Sequence, residues 1–316
     1  MRIAALVAGV VLSTSVLAQA WPARPVKFIV PFPPGGATDI IARLQAAKMS
    51  EAWGQPVVVE NRAGASGAIG SVAVAKSDAD GYTILMGTTS THAVSPAIKP
   101  NLPYTLDDFT AVTLVATFPN VLVAHPGTAK TLQELIALIK ANPGKYAFGS
   151  SGAGSSTHLT GELFKQMTKA DVTHVPYKGT GPLLNDLMGG QVAFAFDQIT
   201  AVMSPVQGGK MRALGVASAE RNPALPDVPA IREVLPGFES TAWVGILAPA
   251  KTPAEVANKI QAETKRVLAL PDVAQRMKDL GATPVASTPA DFSAFMKKDM
   301  EKWRTLVQTA NIKIEQ

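Results

Sequence analysis

Cysteine is absent from the 316 residues, which excludes disulfides, thiol chemistry and a lipidated cysteine anchor. Histidine is scarce. His92, His125, His158 and His174 lie far apart with no carboxylate or second histidine at ligand spacing, so no metal centre is expected. There is no block of five like charges and no Arg-rich arm, and the formal excess of +5 is small and dispersed, which excludes nucleic acid as an expected partner. No P-loop occurs, and Gly152-Ala-Gly154 lacks the third glycine of a dinucleotide fingerprint, so no cofactor is expected. Beyond the N-terminus no segment reaches the ~18 consecutive apolar residues that suit a bilayer span.

What is present reads as a globular protein with a sizeable core: 47% hydrophobic and 17% charged residues, 25 Gly and 24 Pro. The length favours two domains. Arg2, the apolar stretch Ile3 to Leu12 and the small-x-small site Ala18-Gln-Ala20 form a secretory signal, so residues 1–20 are expected to be removed. Loss of Arg2 lowers the formal charge from +5 to +4. An exported chain without disulfides must rely on its core. The combination predicts a periplasmic protein starting near Trp21.

The chain is organised around Pro31-Phe-Pro-Pro-Gly-Gly-Ala-Thr-Asp39, between the apolar run Val26 to Val30 and a helical pattern opening at Asp39. This reads as strand, Gly-rich turn and helix N-terminus, with Gly35 and Gly36 free to take positive φ and Thr38 as the N-cap. Free N–H groups there, backed by the helix dipole, suit a carboxylate or a phosphate. A second turn of this kind spans Gly149 to Thr157.

Along the chain, a helix from Asp39 to Trp53 stops at Gly54, and a strand Val57 to Val59 follows. A turn to Gly67, a helix Ala68 to Lys76 and a strand Tyr82 to Met86 come next. Gly87-Thr-Thr-Ser-Thr-His92 is then a polar loop at the carboxyl edge of a mostly parallel sheet, the edge where open α/β sheets bind ligands. Two apolar runs, Val112 to Ala116 and Val121 to Ala124, are split by Phe118-Pro-Asn120. A capping box, Thr131-Leu-Gln-Glu134, opens a helix to Asn142. Strands Tyr146 to Gly149, Val172 to Pro176, Val192 to Phe196 and Met211 to Ala217 alternate with helices through Leu163 and Met167 and from Pro182 to Met188. Thr241 to Leu247 is a returning strand. Thr252-Pro-Ala-Glu255, with Thr252 as N-cap and Pro253 at the first helical position, and Thr288-Pro289 open C-terminal helices.

Two crossings, near Pro119 and near Trp243, therefore insert one α/β domain into another: residues 21–120 with 245–316 form domain 1, and 121–244 form domain 2. Two lobes joined by two extended segments can hinge around a small anion.

The ordered set of segments resembles a known family over essentially the whole mature chain. Pro25-Val-Lys-Phe-Ile-Val-Pro-Phe-Pro-Pro-Gly-Gly-Ala-Thr-Asp39, Gly54-Gln-Pro-Val-Val-Val-Glu-Asn-Arg62 and Asp80-Gly-Tyr-Thr83 carry the N-terminal part of the likeness. Gly149-Ser-Ser-Gly-Ala-Gly-Ser155, His158-Leu159, Gly161-Glu-Leu163 and Val175-Pro-Tyr-Lys-Gly179 complete it. The chain resembles the tripartite tricarboxylate transporter receptor (TctC) family, also called the Bug family of periplasmic solute-binding proteins. That resemblance implies a two-lobed, type II Venus-flytrap fold that delivers a small solute, usually a carboxylate, to membrane permease subunits. It also implies that Pro33 to Asp39 and Ser150 to Thr157 hold a ligand carboxylate, largely through backbone amides and ordered water. The solute itself is left open among amino acids, di- and tricarboxylates, aromatic acids and amides.

The candidate ligand-binding residues are thus Pro34, Gly35, Gly36, Ala37, Thr38, Asp39, Thr89, Ser150, Ser151, Gly154, Ser155, Ser156, Thr157 and Asp197. Micromolar affinity needs about 8 kcal/mol, and hydrogen bonds to a charged group contribute about 1.5–3 kcal/mol each, so donors from both lips suffice without a pocket cation. Asp39 either complements its helix dipole or meets a ligand amino group or water. Asp197 either faces the ligand or caps the Thr200 helix. Arg62 is expected to tie its own loop, with Glu60 as the partner, and Lys178 to face solvent, with contact to the ligand as the alternative for each. Phe32, Phe118 and Trp243 would floor the cleft for an aromatic acid. The expected function is a monomeric, non-enzymatic receptor. The alternatives are an exported hydrolase using Ser151 and His158, although the stretch does not match Gly-x-Ser-x-Gly, and a ligand sensor for a membrane kinase.

Overall fold

A computed structural model describes residues 21–309; the expected signal segment 1–20 lies outside the described residues. In chain order the first elements are β1 (Val26–Val30), α1 (Ala37–Trp53), β2 (Val57–Asn61), α2 (Ala68–Ala75), β3 (Thr83–Thr88), α3 (Ser95–Ile98) and β4 (Phe109–Ala124). Then come α4 (Leu132–Ala141), β5 (Ala147–Ser150), α5 (Ser156–Thr168), β6 (Thr173–Pro176), α6 (Thr180–Met188), β7 (Phe194–Gln198), α7 (Ile199–Gln207) and β8 (Arg212–Val216). β9 (Thr241–Pro249), α8 (Ala254–Leu268), α9 (Pro271–Asp279), β10 (Thr283–Pro284) and α10 (Pro289–Thr309) close the chain.

The strands run in the order β2-β1-β3-β9-β4-β7-β5-β6, with β8 and β10 also on β4. Pairing is parallel within β2-β1-β3 and within β7-β5-β6, as the strand-helix alternation requires. It is antiparallel wherever β4 or β9 is a partner. The expected α/β architecture is therefore present with a mixed sheet, because the chain passes from one half to the other and back on extended strands rather than through helical crossovers.

β4 differs from the sequence reading. The apolar runs on either side of Pro119 are one strand of 16 residues, not two. Up to Pro119 it pairs with β9, and from Asn120 onward with β7 and β8. A proline has no ladder N–H to give, so it is tolerated where the neighbouring strand changes. Asn120 anchors that point: its N–H donates to the Ser240 carbonyl at 3.2 Å, and its side chain donates to Thr160 Oγ1 at 2.8 Å and Ser240 Oγ at 3.0 Å.

Helix boundaries show which local rules acted. Thr131 caps α4 by accepting the Glu134 N–H, and Glu134 reaches back to the Lys130 N–H. Gly54 ends α1 in the left-handed region, its N–H donating to the Ser50 carbonyl. Two N-caps are corrected. Gly36, not Thr38, caps α1: its carbonyl accepts from Ile40, and Asp39 in the first turn reaches back to accept the Gly35 N–H. Pro253 rather than Thr252 precedes α8, because the Thr252 hydroxyl donates backward to the Pro249 carbonyl. The expected polar loop after β3 is a π-helical turn, Ser90–Val94, running into α3. Thr91 stabilises it, its hydroxyl accepting the Thr88 N–H at 3.0 Å.

One apolar cluster joins α1, β1, β3 and β4 to α6, α7 and α8, so the core is continuous through the centre of the molecule. A second lies under α4 and α5, and a third joins α10 to β3 and β9 through Trp243, Phe292 and Trp303. Among the described residues no helix is long and apolar enough to cross a membrane.

Candidate ligand-binding cleft

A narrow cleft with a cavity volume of about 30 Å³ opens at the carboxyl edge of the sheet. Its wall is built largely from helix beginnings. Gly36, Ala37 and Thr38 come from the first turn of α1, and Thr89 and Ser90 from the start of the π-helical turn. Ser156 opens α5, Thr180 opens α6, and Gln198 caps α7. Thr88 and Ser151 add hydroxyls, while Phe32, Pro33, Phe118, Ala242 and Trp243 supply the apolar surface. No lining residue is an Asp, Glu, Lys, Arg or His. The first turn of a helix carries N–H groups without intrahelical partners and the positive end of the dipole. Several such turns border one space that has no charged side chain in its lining, an arrangement that suits an anion.

The wall is held in place by hydrogen bonds from behind. Thr89 Oγ1 accepts the Trp243 N–H at 2.7 Å, fastening the turn after β3 to β9. Thr157 Oγ1 accepts the Ser151 N–H at 3.0 Å and lies 2.9 Å from Ser151 Oγ. Asn61 donates to the Phe32 carbonyl at 3.0 Å and so positions the loop before α1. Hydrogen bonds cross the cleft: the Ser66 hydroxyl donates to the Ala153 carbonyl at 2.6 Å, and Ser90 Oγ accepts the Ser156 N–H at 3.1 Å and donates to Ser156 Oγ at 3.4 Å.

The structure brings Gly36, Ala37, Thr38, Thr89, Ser151 and Ser156 to the cleft wall. The other candidates stand elsewhere. Pro34 is exposed on the turn, and Gly35, at φ +89°, faces a separate groove against α7 and α9. Ser155 is the N-cap of α5, accepting the His158 N–H and donating to the Gly152 carbonyl. Gly154 donates to His158 Nδ1, and Ser150 is buried against His174. Thr157 and both aspartates lie behind the wall.

Asp39 is buried and serves its own loop. Burial alone would raise its carboxyl, but hydrogen bonds from Arg43, Asn61 and the Gly35 N–H outweigh it and hold the group below the ordinary carboxylate range. Asp197 is fully buried at the end of β7. Burial pushes its carboxyl up to about 7, against the hydrogen bonds from the Gln198 N–H and the Thr180 hydroxyl.

The serines and histidines of this region do not form a nucleophile and base at the cleft. Ser151, the serine that lines it, shares its hydroxyl with Thr157. His158 is buried, its Nδ1 occupied by the Gly154 N–H, and its ring stacks on His174 with centroids 3.8 Å apart. Burial lowers both rings, His158 to about 4 and His174 to about 3, so they are neutral around pH 7. Among the described residues no group of three or more His, Cys, Asp or Glu side chains is placed to hold a metal ion. Arg62 pairs with Glu60 at 2.6 Å, and Lys178 is exposed.

The sequence reading passed over Ser90, Thr180 and Gln198 as wall residues. The Gly-rich turn before Thr180 resembles the other two turns and was a usable signal; Gln198 carried none.

A model of the tripartite tricarboxylate transporter family receptor matches residues 41–312. Protein BugT of Bordetella pertussis is 39% identical over 308 residues, covering 96% of this chain and 94% of its own. A Rhodopseudomonas palustris protein, Rpa4515 with adipate, superposes with a TM-score of 0.90 at 37% identity, covering 92% of this chain and 99% of that one. MatC from the same organism, with bound malate, gives 0.86 at 36%, covering 91% and 100%. With its periplasmic-binding-protein fold and a match over most of its length, the chain belongs to the tripartite tricarboxylate transporter receptor family and is a solute-binding receptor rather than an enzyme.

Proposed function

We propose that this receptor captures a small carboxylate in the cleft and delivers it, from the periplasm, to the permease subunits of a tripartite tricarboxylate-type transporter. The observation that carries the reading is the convergence of the beginnings of α1, α5, α6 and α7 on a space without charged side chains. A helix N-terminus favours an anion by roughly 0.3–2 kcal/mol, and each N–H or hydroxyl donating to a carboxylate adds about 1.5–3 kcal/mol. The hydroxyls of Thr38, Thr89, Ser151 and Ser156 add directional donors. The adipate and malate named with the two Rhodopseudomonas structures support the carboxylate class.

The family is a transporter receptor family, which supports the permease as partner. Residues 21–120 with 245–316 act as one lobe and 121–244 as the other. They hinge where β4 and β9 run side by side at Pro119 and Thr241. The glycine turns and Ser/Thr loop expected from the sequence act here as amide donors, with Asp39 and Thr157 as supports behind them.

The test is thermal unfolding of residues 21–316, refolded to strip carried-over solute, against carboxylates, amino acids, nucleotides and phosphates. A ligand at a thousand times its Kd adds about 4 kcal/mol, several degrees for a chain of this size. A shift confined to one carboxylate class supports the reading. A shift from nucleotides or phosphate esters alone overturns it.

A further inference from the structure

We propose that capture of a carboxylate in the cleft is coupled to uptake of one proton by Asp197, so that the receptor takes up its anion and a proton together. This rests on the receptor reading above and adds a second, unassigned binding event to it. Asp197 stands one layer behind the wall. Its Oδ1 accepts the Gln198 N–H at 2.7 Å and the Thr180 hydroxyl at 3.2 Å, and both donors belong to residues that line the cleft. Its Oδ2 is buried with no hydrogen-bond partner.

A carboxylate taken wholly out of water normally faces a cation or a full set of donors. Asp197 has neither. β4 and β5, which flank β7 in the sheet, carry no ionisable side chain, and neither does α7. The ionisable side chain of α6 is Asp186, which accepts the Tyr177 hydroxyl. α5 carries His158, Glu162 and Lys165, with Lys165 paired to Glu162 at 3.6 Å and His158 serving Gly154. Across the cleft, Asp39 in the first turn of α1 is bound by Arg43. Among the described residues no cation therefore offsets the charge of Asp197.

The empty receptor carries this aspartate near its midpoint at neutral pH, since burial raises it to about 7. A second carboxylate arriving on the other side of Thr180 and Gln198 adds like-charge repulsion and drives the aspartate toward its neutral form. The balance is one proton from bulk water bonding to the aspartate and no other bond made or broken. The incoming carboxylate stays ionised, because its own pKa is near 4. Neutral Asp197 keeps an oxygen to accept from Thr180 and Gln198, so the wall keeps its geometry. Affinity is then level where the aspartate is already protonated and declines as pH rises through the value of the empty receptor.

The experiment is calorimetric titration with adipate, succinate, malate, glutamate and benzoate from about pH 6 to about pH 9, in buffers of different protonation heat. The expected result is proton uptake approaching one per captured carboxylate above neutrality. Kd should weaken by up to about tenfold per pH unit, the limit for a single linked proton. Asp197→Asn should bind with a flat profile and no uptake. Capture of any of these acids without pH dependence or proton uptake overturns the proposal, as does an unchanged slope in Asp197→Asn. If that variant does not fold, the buffer comparison on the unaltered receptor still decides. Failure of all the acids to bind at any pH overturns the carboxylate class of the proposed function along with it.

Discussion

Ser90 Oγ accepts the backbone N–H of Ser156 at 3.1 Å, joining the turn after β3 to the first turn of α5 across the cleft. Both residues line the cleft, and both are buried. The bond therefore ties together two wall elements that are 66 residues apart in the chain. Ser90→Ala removes the acceptor and leaves an amide of α5 unserved. A net hydrogen bond is worth about 0.5–1.5 kcal/mol, so the melting temperature of the empty receptor should fall by a few degrees, and Kd for a captured carboxylate should rise by up to about 10-fold because both residues line the cleft. Calorimetry and small-angle scattering check this; unchanged affinity with unchanged closure would show that the contact is incidental.

Asp39 acts on the shape of the first lip. Its two oxygens accept from the Gly35 N–H, Arg43 and Asn61, and its carboxyl is held below the ordinary value of 3.8. The stabilisation is thus present above that value and is lost as pH falls through the lower folded one. Asp39→Asn should lower stability by about 1–3 kcal/mol at neutral pH and show a shallower loss on acidification than the unaltered protein. Urea unfolding between neutrality and about pH 3 reads both effects.

Asp299 holds the floor of the cleft from below. Its Oδ2 accepts from Trp243 Nε1 at 2.7 Å and from Trp303 Nε1 at 3.3 Å, tying α10 to β9. Asp299→Ala leaves two buried indole N–H groups without an acceptor, at about 1–3 kcal/mol each. Asp299→Asn keeps an acceptor and should lose less than half as much. Tryptophan emission should shift to the red in the alanine variant alone, and equal behaviour of the two variants would disprove the account.

Gly161, within α5, presses directly on the ring of Phe148 in β5; a Cβ there would overlap Phe148 Cε2. Gly161→Ala should therefore destabilise despite alanine's higher helix propensity, by about 1–3 kcal/mol of overpacking. Because α5 begins at the cleft, ligand affinity should fall as well. A stabilised protein would mean that the interface relaxes without strain.

Much of the architecture was legible in short windows. The apolar run of β1, the Thr131–Glu134 cap and the Gly54 stop are determined by residues within a turn of one another, and the structure has them where the residue pattern put them. Thr38 and Thr252 look like caps, but α1 is capped two residues earlier, by Gly36, whose carbonyl accepts the Ile40 N–H, and the Thr252 hydroxyl is taken by the Pro249 carbonyl. Pro119 looks like a break, yet its missing donor is harmless at the place where β4 changes neighbours.

For the cleft the division is similar. The sequence by itself determined the receptor family, the alternation of strand and helix, and two glycine-rich turns able to present amides to an anion. Only the tertiary structure decided which amides and hydroxyls meet. Thr180 and Gln198 join Gly36 and Ser156 at one wall from separate helix beginnings, and Asp197 is left buried behind them without a cation. The physical reason is range: backbone propensity and capping act over a few residues, whereas the field in a cleft is a sum over groups far apart in the chain that packing alone brings together.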